Sequence, residues 1–484
     1  MFWCCLPELD LLFGLLMLIV YGLISASHKH VSLVDVHLFC CAWPLLSVAA
    51  FVDLSAPGAA LDVALAVLTA SIMLSFKSLE SMLLILMGYV GQAFMLHSCD
   101  LVSFYVCLEM QNFSFLVLAG LSGADADRLS PWKGAGAGIP AGATSVAAGA
   151  AGATSAATSA AASAAAGSTS GSVVASGSVA ASGSVVASRG ASRGFSVLAA
   201  LKYMLLSAFS SGMILFWFSQ LYLRTGSSAV FSKGALSVES FLILVGLLFK
   251  MGAAPIHLWV VHIYQMVSRR LILYISTAPK LSLFGFWVSA WHMDYTVFGG
   301  GVAAFAVFSL LLGSFGAYGQ PALRQLFAYS TVAEIGLLLL ALETAGFHTL
   351  FQHLAIYICS QMLLWNLSDK RAFSLVAVSL AGLPPLAGFF GKAWIFWHAA
   401  GVHAVTLLTV ALFCTGISLV YYLRALRIFW YRPTGQVLDS TRSTLTTAHA
   451  ASYGSGSLSP VWLCSLLSSS LLFAPIFLVK PFVL

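Results

Sequence analysis

Five ionisable side chains lie within stretches of the sequence that are otherwise apolar enough to cross a membrane. They are Glu109, Lys202, Lys250, Lys280 and Lys392. A charged group at the centre of a bilayer costs at least about 2.5–3.5 kcal/mol, so these groups do not serve packing alone. A desolvated lysine can release its proton, whereas arginine keeps its charge. Because all four cations are lysines, the pattern favours proton exchange over fixed structural charge.

Each of these groups also has a purely structural interpretation. A lysine near a helix end can extend its ammonium to the membrane surface. Lys202 lies closest to such an end, Lys250 and Lys280 lie deeper, and Lys392 is intermediate. For Glu109 the alternative is an intramembrane ion pair without a transport role.

Two of the lysines lie next to helix-breaking residues. Pro255 follows Lys250 by five residues, and Pro384 and Pro385 come shortly before Lys392. Proline removes a backbone donor and kinks a helix. The carbonyls that it frees are tolerated at bilayer depth only where they are buried or line a wet cavity. Interrupted spans at corresponding places in two halves indicate a transport path built from inverted repeats.

Two further side chains are candidate proton relays. His257 follows Pro255 by two residues, and we predict that it helps to relay protons. Glu334 lies in FAYSTVAEIG, five spans after the span that carries Glu109. The histidines show no metal-binding spacing such as HExxH, and the nine cysteines form no CxxC, so we predict neither a metal site nor a disulfide framework. No nucleotide-binding motif is found.

The rest of the chain must hold these groups at bilayer depth. Of its 484 residues, 60% are hydrophobic and 8% are charged, against about 25% charged in an average soluble protein. This composition excludes a cytosolic enzyme, a nucleic-acid-binding domain and a disordered hub, and it predicts an all-α polytopic membrane protein. The fourteen predicted spans are 9–26, 37–54, 60–77, 80–98, 101–121, 195–219, 237–258, 266–291, 297–318, 325–342, 347–366, 372–397, 402–427 and 461–483.

One long segment does not fit this pattern of spans. Residues 124–194 consist almost entirely of Ala, Gly, Ser, Thr and Val, which predicts a flexible insertion in a loop. The alternative is a short alanine-rich helix that lies on a partner.

The basic residues predict the orientation of the chain. Fifteen Lys or Arg residues fall on one side of the membrane and three on the other, and the remaining four lie within spans. The positive-inside rule then places both termini on the outer, intermembrane-space side. The N-terminus MFWCCLPELD has no Arg and two acids, unlike a transit or signal peptide. We therefore expect synthesis in the compartment that inserts the chain, either an organelle or a bacterial cytoplasm.

Six segments together resemble the antiporter-like membrane subunits of respiratory complex I, and most of all the subunit 2 (N-type) family of NADH–ubiquinone oxidoreductase. The segments are CLEMQNFSFLVLAGL, LKYMLLSAFSSG, LFKMGAAPIHLWVVHIYQ, STAPKLSLFG, LFAYSTVAEIG and SLAGLPPLAGFFGK, and they occur in the same order between residues 80 and 400. The resemblance implies fourteen helices with two inverted five-helix repeats and broken seventh and twelfth helices. The implied units are N-terminal helices over 1–79, a first repeat over 80–291, a second repeat over 292–427, and a loop with a C-terminal helix over 428–484.

The resemblance also implies roles for the ionisable residues. Glu109 and Lys250 correspond to the family's carboxylate–lysine pair, Lys280 to its central lysine, Lys392 to its terminal lysine, and Lys202 to a further lysine. The implied function is proton translocation coupled to NADH oxidation and quinone reduction elsewhere in the complex. The NADH, FMN, iron–sulfur clusters and ubiquinone would belong to the complex, and this chain would hold no cofactor. Its partners would be lipids, a neighbouring antiporter-like subunit and the small helical subunit next to it.

The chain departs from the family pattern at three places. Val261-His262 stands where the family commonly has Pro-Asp, Glu334 stands where it commonly has His, and the insertion over 124–194 is not a family feature. Such drift favours the mitochondrial inner membrane over a bacterial plasma membrane. Two other functions stay open: an Mrp-type cation/proton antiporter subunit, and a non-pumping scaffold of the membrane arm.

Overall fold

The computed structural model consists of helices throughout the part of the chain that it describes. The described residues are 12, 14–20, 40–48, 59–76, 78–98, 100–121, 180–226, 238–291, 300–366, 370–384 and 386–430. Short helical stretches cover 14–20 and 40–48. The longer helices are α1 (Ala59–Met73), α2 (Leu79–Leu96), α3 (Leu101–Leu121), α4 (Ala180–Thr225), α5 (Val238–Met251), α6 (Leu258–Met266), α7 (Arg269–Trp291), α8 (Gly301–Gly319), α9 (Leu323–Glu343), α10 (Phe347–Asn366), α11 (Lys370–Ala381), α12 (Ala387–Gly401) and α13 (Val405–Trp430). These residues contain no β-strand, which confirms the all-α prediction for them.

Seven helices in the described ranges are long and apolar enough to cross a membrane. They are α2, α3, the Ala200–Thr225 part of α4, the Arg269–Val288 part of α7, α8, α9 and α13. The predicted span 461–483 lies outside the described residues, and the predicted spans 9–26 and 37–54 lie only partly within them. By length and composition, these helices support a membrane protein with several crossings.

Two predicted boundaries are wrong. The sixth span and the insertion before it were expected to meet at residue 195, but α4 begins at Ala180. Residues 180–194 include four alanines, which have the highest helix propensity, and no proline, so the helix can extend through them. The seventh span was expected to end at residue 258, but the apolar sequence after Pro255 forms a second helix, α6, as far as Met266.

Both predicted helix breaks are observed, and they have the same backbone form. The first lies between α5 and α6, and the second between α11 and α12. Gly252 and Gly382 directly follow the first helix of each pair, and both have φ 82°. In each break the next N–H bonds back across five residues, from Ala253 to the Leu248 carbonyl and from Leu383 to the Val378 carbonyl. This is the hydrogen bonding of a Schellman motif, in which glycine takes the left-handed position. Pro255 and Pro384 lie within the breaks, while Pro385 lies outside the described residues.

Helices α7 and α10 connect the two halves of the bundle. Helix α7 packs against α1, α2, α3 and α5 on one side and against α10 on the other. Helix α10 in turn packs against α9, α11 and α12. Its polar side chains Gln352, His353 and Gln361 are buried, although its length matches the predicted span 347–366. Buried polar groups need hydrogen-bond partners, so α10 must be surrounded by protein and not by lipid.

Candidate functional site

Lys250 and Glu109 lie near each other without a direct ion pair. Lys250 is in the last turn of α5, and its Nζ donates to the Ser207 hydroxyl at 2.8 Å and to the Ser207 carbonyl at 3.1 Å. Glu109, in the middle of α3, accepts a hydrogen bond from Asn112 Nδ2 at 3.2 Å. The two groups are close enough to interact electrostatically. Both side chains are half-buried. Because each group bonds a different partner, the pair is in a separated arrangement.

A cavity joins Lys250 to Lys280. Its volume is about 40 Å³, and both lysines line it. A water molecule needs roughly 10–15 Å³ of such volume and two to four polar partners, so the cavity can hold two or three waters. The other polar side chains of its wall are Gln111, Asn112, Tyr203, Tyr264 and Tyr274. The walls therefore offer enough donors and acceptors for a hydrated connection.

Lys280 lies at the boundary between the two halves. Its side chain is buried on α7, and its Nζ donates a hydrogen bond to the Tyr357 hydroxyl of α10 at 2.8 Å. Among the described residues, no carboxylate forms an ion pair with it. Pro279 precedes it within the helix and cannot bond the carbonyl four residues earlier, that of Ile275, and both of these residues line the cavity. A buried ammonium without a carboxylate partner is costly, so a small change in nearby charge can decide whether Lys280 holds its proton.

In the second half, Lys392 forms a closed ion pair. Its Nζ lies 3.0 Å from Glu334 Oε1, and it also donates to the Leu380 carbonyl at 2.7 Å. His353 Nε2 lies 2.9 Å from the other carboxylate oxygen, Glu334 Oε2. The exposed fractions of Glu334, His353 and Lys392 are 4%, 2% and 4%. Three helices, α9, α10 and α12, thus bring one carboxylate, one imidazole and one ammonium together out of contact with solvent.

Two predicted site residues lie apart from this line of groups. Lys202 is exposed on the outer face of α4 and does not line the cavity. His257 is buried at the start of α6, where its ring contacts the ring of Tyr329, and it does not line the cavity either. The structure therefore groups Lys250 with Lys280, and Glu334 with Lys392, and leaves Lys202 and His257 outside.

Sequence reasoning missed three residues of the site: Ser207, His353 and Tyr357. His353 and Tyr357 are four residues apart on α10 and so lie on one face of that helix. Polar side chains at this spacing in an otherwise apolar span are a signal that the sequence contains. Ser207 could not have been found in this way, because serine is common in membrane helices and only the packing of α4 on α5 shows its contact with Lys250.

The comparisons with known proteins agree with this architecture. Residues 185–370 match a family model described as NADH:quinone oxidoreductase/Mrp antiporter, transmembrane. The chain is 47% identical over 477 residues to NADH-ubiquinone oxidoreductase chain 2 of Chlamydomonas reinhardtii, covering 99% of this chain and 100% of that protein. It is 30% identical over 287 residues to NADH-quinone oxidoreductase subunit N of Salinibacter ruber, covering 50% of this chain and 57% of that protein.

Two solved structures have the same fold. A chain of respiratory complex I from Thermus thermophilus with bound Aureothin has a TM-score of 0.69 at 22% identity, covering 98% of this chain and 99% of that chain. A chain of the Mrp complex from Dietzia sp. DQ12-45-1b has a TM-score of 0.66 at 17% identity, covering 98% of this chain and 95% of that chain.

Proposed function

Because this chain belongs to the NADH-ubiquinone oxidoreductase chain 2 family, we propose that it is a proton-translocating subunit of the membrane arm of respiratory complex I. The observation that carries the proposal is the line of ionisable groups that runs from the half-buried Lys250 through the cavity to the buried Lys280. The hydrogen bond of Lys280 to Tyr357 extends this line to the helix that carries His353. Groups of this kind are rare inside membrane proteins and mark proton and ion paths.

The proposed mechanism uses the two pairs as successive gates. A charge or conformational change in a neighbouring subunit, driven by electron transfer elsewhere in the complex, moves the Glu109–Lys250 pair between separated and closed arrangements. The separated arrangement favours proton exchange between Lys250 and Lys280 through the cavity. The proton then passes toward the Glu334–Lys392 pair and leaves on the other side. Charges a few Å apart in a partly hydrated interior interact by several kcal/mol, which is enough to shift a lysine between its charged and neutral forms.

The same proposal includes the finer architecture. The chain has fourteen spans, with the two inverted repeats over 80–291 and 292–427, and the matching backbone of the two breaks supports this arrangement. It lies in the mitochondrial inner membrane with both termini on the intermembrane-space side. It contacts lipids, a neighbouring antiporter-like subunit and a small helical subunit. It carries out no redox step itself.

The proposal is tested at Lys280 in membrane vesicles that carry the assembled complex. Lys280→Ala and Lys280→Arg should both lower the number of protons translocated per NADH oxidised, because alanine carries no proton and arginine does not release one. The Arg variant keeps the positive charge but cannot release a proton, so it distinguishes a need for proton exchange from a need for charge alone. A normal proton-to-electron ratio in both variants would show that Lys280 takes no part in translocation.

A second candidate function is that of an Mrp-type cation/proton antiporter subunit. The family model includes such proteins, and the fold matches the Dietzia Mrp complex chain. Purification distinguishes the two, because a complex I subunit should purify together with redox subunits. A non-pumping scaffold would instead assemble normally and leave proton translocation unchanged when several of the buried lysines are replaced together.

A further inference from the structure

The hydrogen bond between His353 and Glu334 fixes which ring nitrogen carries a proton. Glu334 lies 3.0 Å from the Lys392 ammonium, which favours the ionised carboxylate, and an ionised carboxylate can only accept hydrogen bonds. His353 Nε2, at 2.9 Å from Glu334 Oε2, must therefore donate. In the neutral ring the other nitrogen, Nδ1, then has no hydrogen and presents a free lone pair.

That second nitrogen is buried and has no hydrogen-bond partner among the described residues. It lies beside the backbone of Gly391, the residue before Lys392, where an added Cβ would lie 2.8 Å from it. A buried acceptor without a partner lowers the stability of the folded protein. A group of this kind needs an explanation, and one explanation is that it accepts a proton during function.

The position of His353 on α10 connects it to the central lysine. Tyr357 lies one helical turn further along the same face, and its hydroxyl accepts the hydrogen bond from Lys280 Nζ at 2.8 Å. The charged side chains beside this part of α10 are Lys280 from α7, Glu334 from α9 and, through its ion pair with Glu334, Lys392 from α12. His353 thus lies between the lone lysine and the closed ion pair.

We propose that His353 is the proton acceptor between Lys280 and the Glu334–Lys392 pair, with Nδ1 as the accepting atom and Glu334 as the residue that positions the ring. This inference rests on the proposed function. In the step, an N–H bond of Lys280 breaks as the Tyr357 hydroxyl takes its proton, and the hydroxyl gives up its own proton, so that an N–H bond to His353 Nδ1 forms. Because Tyr357 and Nδ1 share no hydrogen bond in this arrangement, the second transfer requires a rotation of one of the two side chains or a water between them. One positive charge moves from α7 to α10, and Glu334 stabilises the resulting imidazolium.

The test is His353→Gln in the assembled complex. The glutamine amide can donate to Glu334 as Nε2 does, but it has no basic nitrogen. The acceptor role predicts a loss of proton translocation per NADH at least as large as that in Lys280→Ala. A purely structural role predicts that glutamine, unlike His353→Ala, restores translocation, and that result would overturn the inference.

The matched control is His262→Gln. His262 lies ten residues after Gly252, as Lys392 lies ten residues after Gly382, but its side chain is exposed. This variant should translocate protons normally, and a loss equal to that of His353→Gln would count against the inference.

A second variant covers the case in which His353→Gln does not assemble. Tyr357→Phe keeps the ring and removes the hydroxyl, and normal translocation in this variant would also overturn the inference. If Lys280→Ala impairs translocation while His353→Gln does not, only the role of His353 fails. If neither variant has an effect, the proposed function fails.

Discussion

The two helix breaks share one backbone form but place their lysines on opposite sides of it. Lys250 precedes Gly252 by two residues, whereas Lys392 follows Gly382 by ten. In the first break the indole of Trp259 donates to the freed carbonyl of Phe249 at 3.0 Å. In the second break Lys392 itself donates to the freed carbonyl of Leu380. A neutral side chain thus donates to the freed carbonyl of the first break, and a charged side chain donates to that of the second.

The two halves also differ in whether their carboxylate and lysine form an ion pair. Because Trp259 satisfies the first break, Lys250 is free to bond Ser207 beside a cavity, at a distance from Glu109. Lys392 is held by both a carbonyl and a carboxylate and is buried. One fold therefore holds one carboxylate–lysine pair separated and the other closed, which is the arrangement that two alternating gates require.

Loss of the Glu334 charge should have the largest effect on stability. Glu334→Gln leaves the Lys392 ammonium buried without its carboxylate, and breaking a buried ion pair in this way costs about 3–5 kcal/mol. We expect less assembled complex and a lower midpoint of thermal inactivation. Adding Lys392→Met should recover most of the loss, because both charges are then gone. If Glu334→Gln is as stable as the parent, the Glu334–Lys392 ion pair does not stabilise the second half.

Loss of the Glu109 charge should instead affect turnover with little effect on stability. Glutamine can still accept the hydrogen bond from Asn112, and Glu109 makes no direct ion pair within the described part of the chain. We expect Glu109→Gln to assemble normally and to lower NADH-driven quinone reduction and proton translocation about tenfold, equivalent to about 1.4 kcal/mol. An unchanged rate would remove Glu109 from the proposed path. A stability loss as large as that of Glu334→Gln would show that the two halves do not differ.

Loss of the Trp259 donor should have a smaller effect. Trp259→Phe keeps the aromatic ring against Phe249 and removes the hydrogen bond to the Phe249 carbonyl, which also accepts from the Gly252 N–H. Because that carbonyl keeps one partner, we expect a destabilisation of about 1 kcal/mol. The thermal midpoint should fall less than in Lys392→Met, which removes a carbonyl donor and an ion-pair partner together. The reverse order would contradict the comparison of the two breaks.

The sequence alone predicts where both breaks lie, because proline interrupts a helix in a way that depends little on packing. It does not predict the left-handed glycines and the shared hydrogen bonding of the two breaks. It also places Glu334 and Lys392 within spans as candidate groups, because a charge in an apolar stretch is visible without a structure. It does not predict that these two form an ion pair, or that Lys250 bonds Ser207, because those contacts join residues that are 58 and 43 positions apart in the chain. Packing of whole helices decides such contacts.

Helix α10 shows the same limit more clearly. Its span was predicted, but its role in connecting the halves depends on neighbours on four sides. His353 was not predicted as a site residue, and only its position between Glu334 and the Gly391 backbone reveals an Nδ1 atom without a hydrogen-bond partner among the described residues. Hydrophobic patterns locate spans, whereas side-chain pairing across spans carries the chemistry.

Replacement of Lys202 should have the smallest effect. Its side chain is exposed on α4, near the start of the Ala200–Thr225 span, so its ammonium can reach the membrane surface as the structural interpretation requires. We expect Lys202→Gln to assemble, to keep its thermal midpoint, and to lower proton translocation much less than Glu109→Gln does. An effect equal to that of Glu109→Gln would place Lys202 in the proton path, and its partner would then have to come from outside the described residues. The outer face of α4 would then belong to the proton path of the first half.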